Sequence, residues 1–391
     1  MISALQDANW NKEINYRYMK KLIVMALATT LMASCVKNDA PALFPKENFE
    51  TTVDGKEVSL YTLKAGDITM QVTNFGGRVV AIWTPDRDGK LEDIVLGYNN
   101  IENYVNNPGE RFLGAVVGPY ANRIADGTYT IGEEVYNFPK NNNGQTLHGG
   151  LKGLDMVVWD VKSVNENSIE LFYLRPDGQD GMPGNLSITM TYTLTPENEF
   201  KVDYSATTDK ATHVNISHHS FFNLKGEGNG TIEDLEMVIN ASATTPVNEV
   251  LIPSGEIADV TGTPFDFREP HLIGERINAD NEQLNFGKGY DHNWVLDRKG
   301  DGVEFAASVY EANSGRFMSV YTDQPGMQFY SGNFFDGTTK GKYDRELRFR
   351  ESIALETQKF PDTPHHDNFP STLLNPGDTY THICIYKFEV K

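Results

Sequence analysis

Ser187-Ile188-Thr189-Met190-Thr191-Tyr192-Thr193-Leu194 sets polar and apolar side chains in unbroken alternation, the period of a strand with one face buried and one wet. Thr195-Pro196-Glu197-Asn198-Glu199 interrupts the pattern with turn formers, and Lys201-Val202-Asp203-Tyr204-Ser205-Ala206 resumes it. The segment therefore predicts an antiparallel hairpin. Outward from it, similar short runs stand at 68–73, 79–83, 169–174, 303–310, 317–321 and 383–388, separated by clusters such as Pro176-Asp177-Gly178 and Lys299-Gly300-Asp301-Gly302. After residue 45 no stretch sustains a helical period. A strand every ~8–12 residues implies on the order of 30 strands or somewhat fewer, too many for a simple sandwich of about seven to nine. No linker rich in Pro, Ser or Gly divides the body, and no repeat suggests a propeller. One large all-β, antiparallel domain over residues 51–391 is the expectation.

The 391 residues are 39% apolar and 23% charged, an ordinary balance for a chain that folds around a core. A net charge of −20 repels phosphate backbones, so nucleic acid is excluded as a partner, while neutral polar ligands remain open. Two cysteines are too few for a disulfide framework or a Cys-based zinc site. The N-terminus reads as targeting. Lys20-Lys21 precedes the apolar run Leu22–Met32, and Ala33-Ser34-Cys35 follows it, the order of a secretory signal. The cysteine after two small residues resembles a bacterial lipobox, which makes 1–34 a signal peptide, Cys35 a lipidation site and 35–50 a tether. The polar leader before the lysines has no export logic, so Met19 is an alternative start. The expected location is the cell envelope, periplasm or outer membrane, with the membrane touched only through the lipid. Cys384 sits in a strand-like run and reads as a buried, inert thiol.

The chemistry-bearing residues are scattered. His148 precedes Gly149-Gly150, where the backbone can turn tightly beside an imidazole. His218-His219 lies in an apolar, aromatic stretch, and alternation allows only one of the two to face a given pocket. Glu356 stands in the apolar run Ala354-Leu355-Glu356-Thr357, and a buried carboxyl needs either a partner, such as Arg350, or a task. No His-x-His or His-Glu-x-x-His spacing supports a metal.

Together these residues lie in blocks that resemble the aldose 1-epimerases. The blocks are Gly118-Pro119-Tyr120-Ala121-Asn122-Arg123-Ile124, Leu147-His148-Gly149-Gly150, His219-Ser220-Phe221-Phe222-Asn223-Leu224, Tyr290-Asp291-His292-Asn293-Trp294, Gln324-Pro325-Gly326-Met327-Gln328-Phe329-Tyr330 and Leu355-Glu356-Thr357-Gln358 with Phe360-Pro361-Asp362. They run in order, and the resemblance extends over about residues 52 to 390. It implies a β-supersandwich and a monomer without cofactor or metal that interconverts the α and β anomers of free aldohexoses. Glu356 would be the base and His219 the acid, with Arg123, His148, Asp291, Asn122 and Gln328 binding the sugar. Arg123 could instead serve a structural ion pair, and Asp291 could merely brace a turn. Among the aromatics, Phe221, Phe222, Trp294 and Tyr330 could stack on a sugar face or belong to the core. Pro119 and His365 depart from the family pattern and place the pocket rim in question. The alternatives are a silent, lipid-anchored carbohydrate-binding protein and a glycoside hydrolase, which would need two carboxyl groups flanking the bond.

Overall fold

The computed structural model describes residues 40–391, so the expected signal peptide, the start at Met19 and Cys35 lie outside the described residues. Ala40–Lys391 forms one compact unit. The hairpin that opened the reading is present: Leu186–Leu194 pairs antiparallel with Glu199–Thr208, Leu194 opposite Phe200, and its apolar positions are buried while the alternate ones are half-exposed. It belongs to a nine-stranded sheet that also contains Ser168–Arg175, Tyr380–Val390, Arg316–Thr322 and Glu304–Tyr310. A six-stranded sheet carries Phe221–Phe222, Ile353–Gln358, Gly326–Tyr330, Asp291–Leu296, Ala241–Thr245 and Ala258–Asp259, and a four-stranded sheet spans 60–93. In all, 29 strands occur among the described residues, with helices no longer than six residues.

The two large sheets differ in pattern for a physical reason. The nine-stranded sheet alternates because one face meets water. In the six-stranded sheet Gly326–Tyr330 and Ile353–Gln358 are buried at every position, so both faces are covered and alternation gives way to apolar runs. Tyr386, from the nine-stranded sheet, donates its hydroxyl to the Leu355 carbonyl at 2.9 Å and packs on Phe222, joining the two layers. Packing begins earlier than residue 51: Phe49 is fully buried, and the Phe44 amide donates to Gln71 at 2.9 Å. Cys384 is buried, and burial pushes its thiol up to about 12, so it carries no thiolate at neutral pH.

Candidate active site

Strand pairing brings the scattered motifs together. Gly326–Tyr330 lies between Asp291–Leu296 and Ile353–Gln358, placing Gln328 opposite Glu356 and Asp291 opposite Tyr330. Ser217–His219 pairs with Ala115–Val117, and Arg123 stands opposite Leu147, next to His148. Alternation then separates the adjacent histidines. His219 lines the cavity, whereas His218 turns into the core, bonded to Ser220 Oγ at 2.6 Å and Tyr192 Oη at 3.2 Å.

Asn122 and His148 both adopt left-handed backbone, with φ of 61° and 51°. That conformation is strained for a histidine and persists only where its surroundings enforce it. Here the enforcement is reciprocal: the His148 amide donates to the Asn122 carbonyl at 3.0 Å, and the Asn122 amide donates to His148 Nδ1 at 3.0 Å. Nδ1 is therefore an acceptor. Burial and the neighbouring cations hold His148 well below 6.5, so the ring is neutral and its proton sits on Nε2.

The resulting cavity, about 300 Å³, is walled by Asn122, Arg123, His148, His219, Asp291 and Glu356 among others. His219 Nε2 lies 3.4 Å from Glu356 Oε1. Glu356 Oε2 and His219 Nδ1 are buried without a protein partner, which is costly unless a ligand supplies the missing bond. Burial, reinforced by Asp291, pushes Glu356 well above 4.5; burial lowers His219 to about 3. Arg350, the alternative partner for Glu356, instead binds Glu233 at 2.8 Å. Asp291 Oδ1 accepts from Gln328 Nε2 at 2.7 Å, and Asp291 Oδ2 lies 3.9 Å from Arg123 Nη2, so both charged side chains face the cavity in a loose pair.

Two expected contacts play different parts. Gln328 is not a wall residue; it sits behind Asp291 and orients its carboxylate. Asn122 is at the wall, but its side-chain oxygen accepts from the Arg123 amide at 2.9 Å, a local brace. Pro119 and His365 are not wall residues either. His365 Nδ1 lies 2.6 Å from Asp362 Oδ1, and Asp362 in turn accepts from the Ala125 amide and donates to the Arg123 carbonyl, so the His365 departure acts on a support behind Arg123. Of the aromatics, Phe221 and Tyr330 line the cavity, whereas Phe222 and Trp294 are core.

Other wall residues carried no motif in the sequence: Glu110, Phe112, Asn142, Asn143, Leu251 and Phe334. Phe112 packs its ring against both histidines, 4.6 Å from His148 and 6.0 Å from His219 between centroids. One atom each of His148, His219 and Glu356 lies within 4.8 Å of the others, a donor set that could hold a metal and that linear spacing did not reveal. The His148 tautomer opposes this use, because a ligating imidazole donates from its second nitrogen, whereas His148 Nδ1 accepts. The arrangement instead offers one imidazole donor, one acid–base pair and one carboxylate–guanidinium pair around a small polar molecule.

The chain is similar to known proteins over most of its length. The aldose 1-epimerase family pattern matches residues 59–387. The chain is 42% identical over 334 residues to the galactose mutarotase of Bos taurus, covering 85% of this chain and 94% of that protein. It is 36% identical over 355 residues to the aldose 1-epimerase of Escherichia coli (strain K12), covering 90% and 99%. The crystal structure of the galactose 1-epimerase from Lactobacillus acidophilus superposes with a TM-score of 0.76 at 29% identity, covering 88% and 97%. An aldose epimerase homologue from C. elegans gives 0.79 at 26%, covering 85% and 99%. The chain belongs to the aldose 1-epimerase family.

Proposed function

We propose that this protein is an aldose 1-epimerase that interconverts the α and β anomers of free aldohexoses of the glucose and galactose type. The observation that carries the reading is the buried pair of Glu356 and His219 at the cavity wall, 3.4 Å apart, each with a buried atom that has no protein partner. In the reactive state Glu356 is the carboxylate and His219 the imidazolium. Glu356 takes the proton of the C1 hydroxyl, the C1–O5 bond breaks as the carbonyl forms, and His219 protonates O5. Rotation about C1–C2 turns the other carbonyl face to O5. On closure O5 attacks C1 and returns its proton to His219, while Glu356 returns the first proton to the C1 oxygen, so both groups end as they began.

The environment suits both roles. Burial makes the His219 imidazolium a stronger acid and the Glu356 carboxylate a stronger base than either is in water. Their order of proton affinity is inverted relative to water, so the carboxylate–imidazolium pair is primed to take one proton from the sugar and give the other. His148, fixed as an Nε2–H donor, and Arg123 stabilise charge developing on sugar oxygens. Asp291, oriented by Gln328, accepts from sugar hydroxyls. A silent carbohydrate-binding protein would have no use for a desolvated carboxylate facing an imidazole. Polarimetry of freshly dissolved α-D-glucose and α-D-galactose tests the reading. The full-length protein accelerates the approach to equilibrium well beyond the spontaneous rate; sugar binding without acceleration would establish the binding-protein alternative.

The export reading rests on the N-terminal pattern. We propose that Cys35 is lipidated and that the protein is a monomer held to the cell envelope by that lipid. No described helix is long and apolar enough to cross a membrane. Cys35→Ser should move the protein from the membrane to the soluble fraction; unchanged fractionation would refute the anchor.

A further inference from the structure

The cavity carries a third carboxyl that the mechanism does not use. Glu110 follows the turn Asn107-Pro108-Gly109 and reaches the wall together with Glu356, Asp291 and Tyr330. Its placement is rigid. The Tyr98 hydroxyl donates to its carbonyl at 3.1 Å, and the Phe112 amide donates to Oε1 at 2.9 Å. The next residue, Arg111, grips Asp155 at 2.6 and 2.9 Å and the Gly150 carbonyl at 3.0 Å, tying this loop to the one that follows His148. One Glu110 oxygen thus serves the turn, while the side chain stands at the cavity wall. Its charge is felt at Glu356 and at Tyr330, which places it within electrostatic reach of a bound sugar.

We propose that Glu110 is a further substrate-contacting residue that accepts a hydrogen bond from a sugar hydroxyl and closes the site to aldoses bearing an anionic group. Three carboxyls and one guanidinium face the cavity, and its two histidines are held neutral by burial. A bound uronate carboxylate would therefore meet an excess of like charge inside a small, partly desolvated space, where repulsion is strong. A neutral aldose meets only acceptors for its hydroxyls, and a 2-amino aldose brings a cation that the wall favours. The selection deepens the reading of this site as one for free aldoses and rests on that reading, but it is a property of binding and is measured without turnover.

The test is a titration of the full-length protein with galactose, galacturonate and galactosamine at about pH 7, where the uronate is an anion and the amine a cation. Wild type binds galacturonate at least about tenfold more weakly than galactose. Glu110→Gln keeps the side-chain oxygen that accepts from Phe112, so the turn survives, yet it narrows the galacturonate-to-galactose gap about tenfold. Glu110→Lys narrows it further and weakens galactosamine. A gap that is the same in all three proteins overturns the proposal and leaves Glu110 as a turn brace. Selective binding with no anomerisation by wild type would instead refute the proposed reaction while supporting the selection, so the two failures are distinguishable.

Discussion

Two buried clusters of ionisable groups in this molecule have opposite designs. Around Lys342, which is fully buried, Nζ donates to the Val80 carbonyl at 2.6 Å, Asp93 Oδ2 at 2.6 Å and the Val95 carbonyl at 2.8 Å, and lies 3.1 Å from Glu227 Oε2, which has no hydrogen bond of its own. Asp93 also accepts from the Ile82 amide and the Tyr343 hydroxyl. Around Glu356 the groups stand close but stay under-bonded, with Glu356 Oε2 and His219 Nδ1 lacking any protein partner. The first cluster locks the segment that carries Lys342 to the four-stranded sheet; the second holds its bonding capacity for a ligand. A buried cation bonded to three acceptors, which the second cluster lacks, separates the structural cluster from the functional one.

Substitutions in each cluster should therefore fail in opposite ways. Glu356→Gln should lower kcat by about 10²–10⁴-fold, the range of general acid–base catalysis, yet leave the melting temperature unchanged or raised, because it removes a desolvated carboxyl. A clear fall in melting temperature would break the contrast. Lys342→Met strands Asp93 and Glu227 and should destabilise the fold by about 3–5 kcal/mol, measured by denaturant unfolding, while molecules that remain folded keep their rate.

The pH profile sharpens the same point. Glu356 is raised well above 4.5, so it takes up its proton at higher pH than a free carboxyl would. The reactive pair, Glu356 carboxylate with His219 imidazolium, holds one proton, so the raised Glu356 sets the alkaline limb of kcat/KM, where that proton is lost; an acid limb in that raised range, with full rate above it, would contradict the pair. The smallest effect is expected behind the wall. The Asp362 bond raises the pKa of His365 above 6.5, so its stabilisation is present below about 6.5 and is lost as pH rises through the raised value. His365→Asn should cost a little stability at about pH 6, nothing at about pH 9, and should leave sugar preference unchanged.

Much of the fold was legible because one face of the nine-stranded sheet is wet. Ser187–Leu194 announces itself by alternation, and so does its partner strand. The six-stranded sheet is harder to read, since strands covered on both faces lose the period of two, and there the motifs around Glu356 and Asp291 carried the reading. His219 was separable from His218 by alternation together with the His-Ser-Phe-Phe frame. Glu110 was not legible, because it sits in a turn and only tertiary contact through Arg111 and Tyr98 brings it to the wall. The part played by Gln328 was equally hidden: the register sets it opposite Asn293, from where its side chain reaches diagonally to Asp291, behind the wall it was expected to form. The convergence of His148, His219 and Glu356 spans more than 200 residues of chain, so no local spacing could reveal it.

The most direct test of the central claim is saturation-transfer NMR between the α and β H1 resonances of galactose at equilibrium, with wild type and Glu356→Gln at equal concentration. Wild type should give rapid exchange, and Glu356→Gln should fall back to near the spontaneous rate while still binding the sugar. Wild-type exchange in the folded Glu356→Gln protein would contradict the assignment of Glu356 as the base.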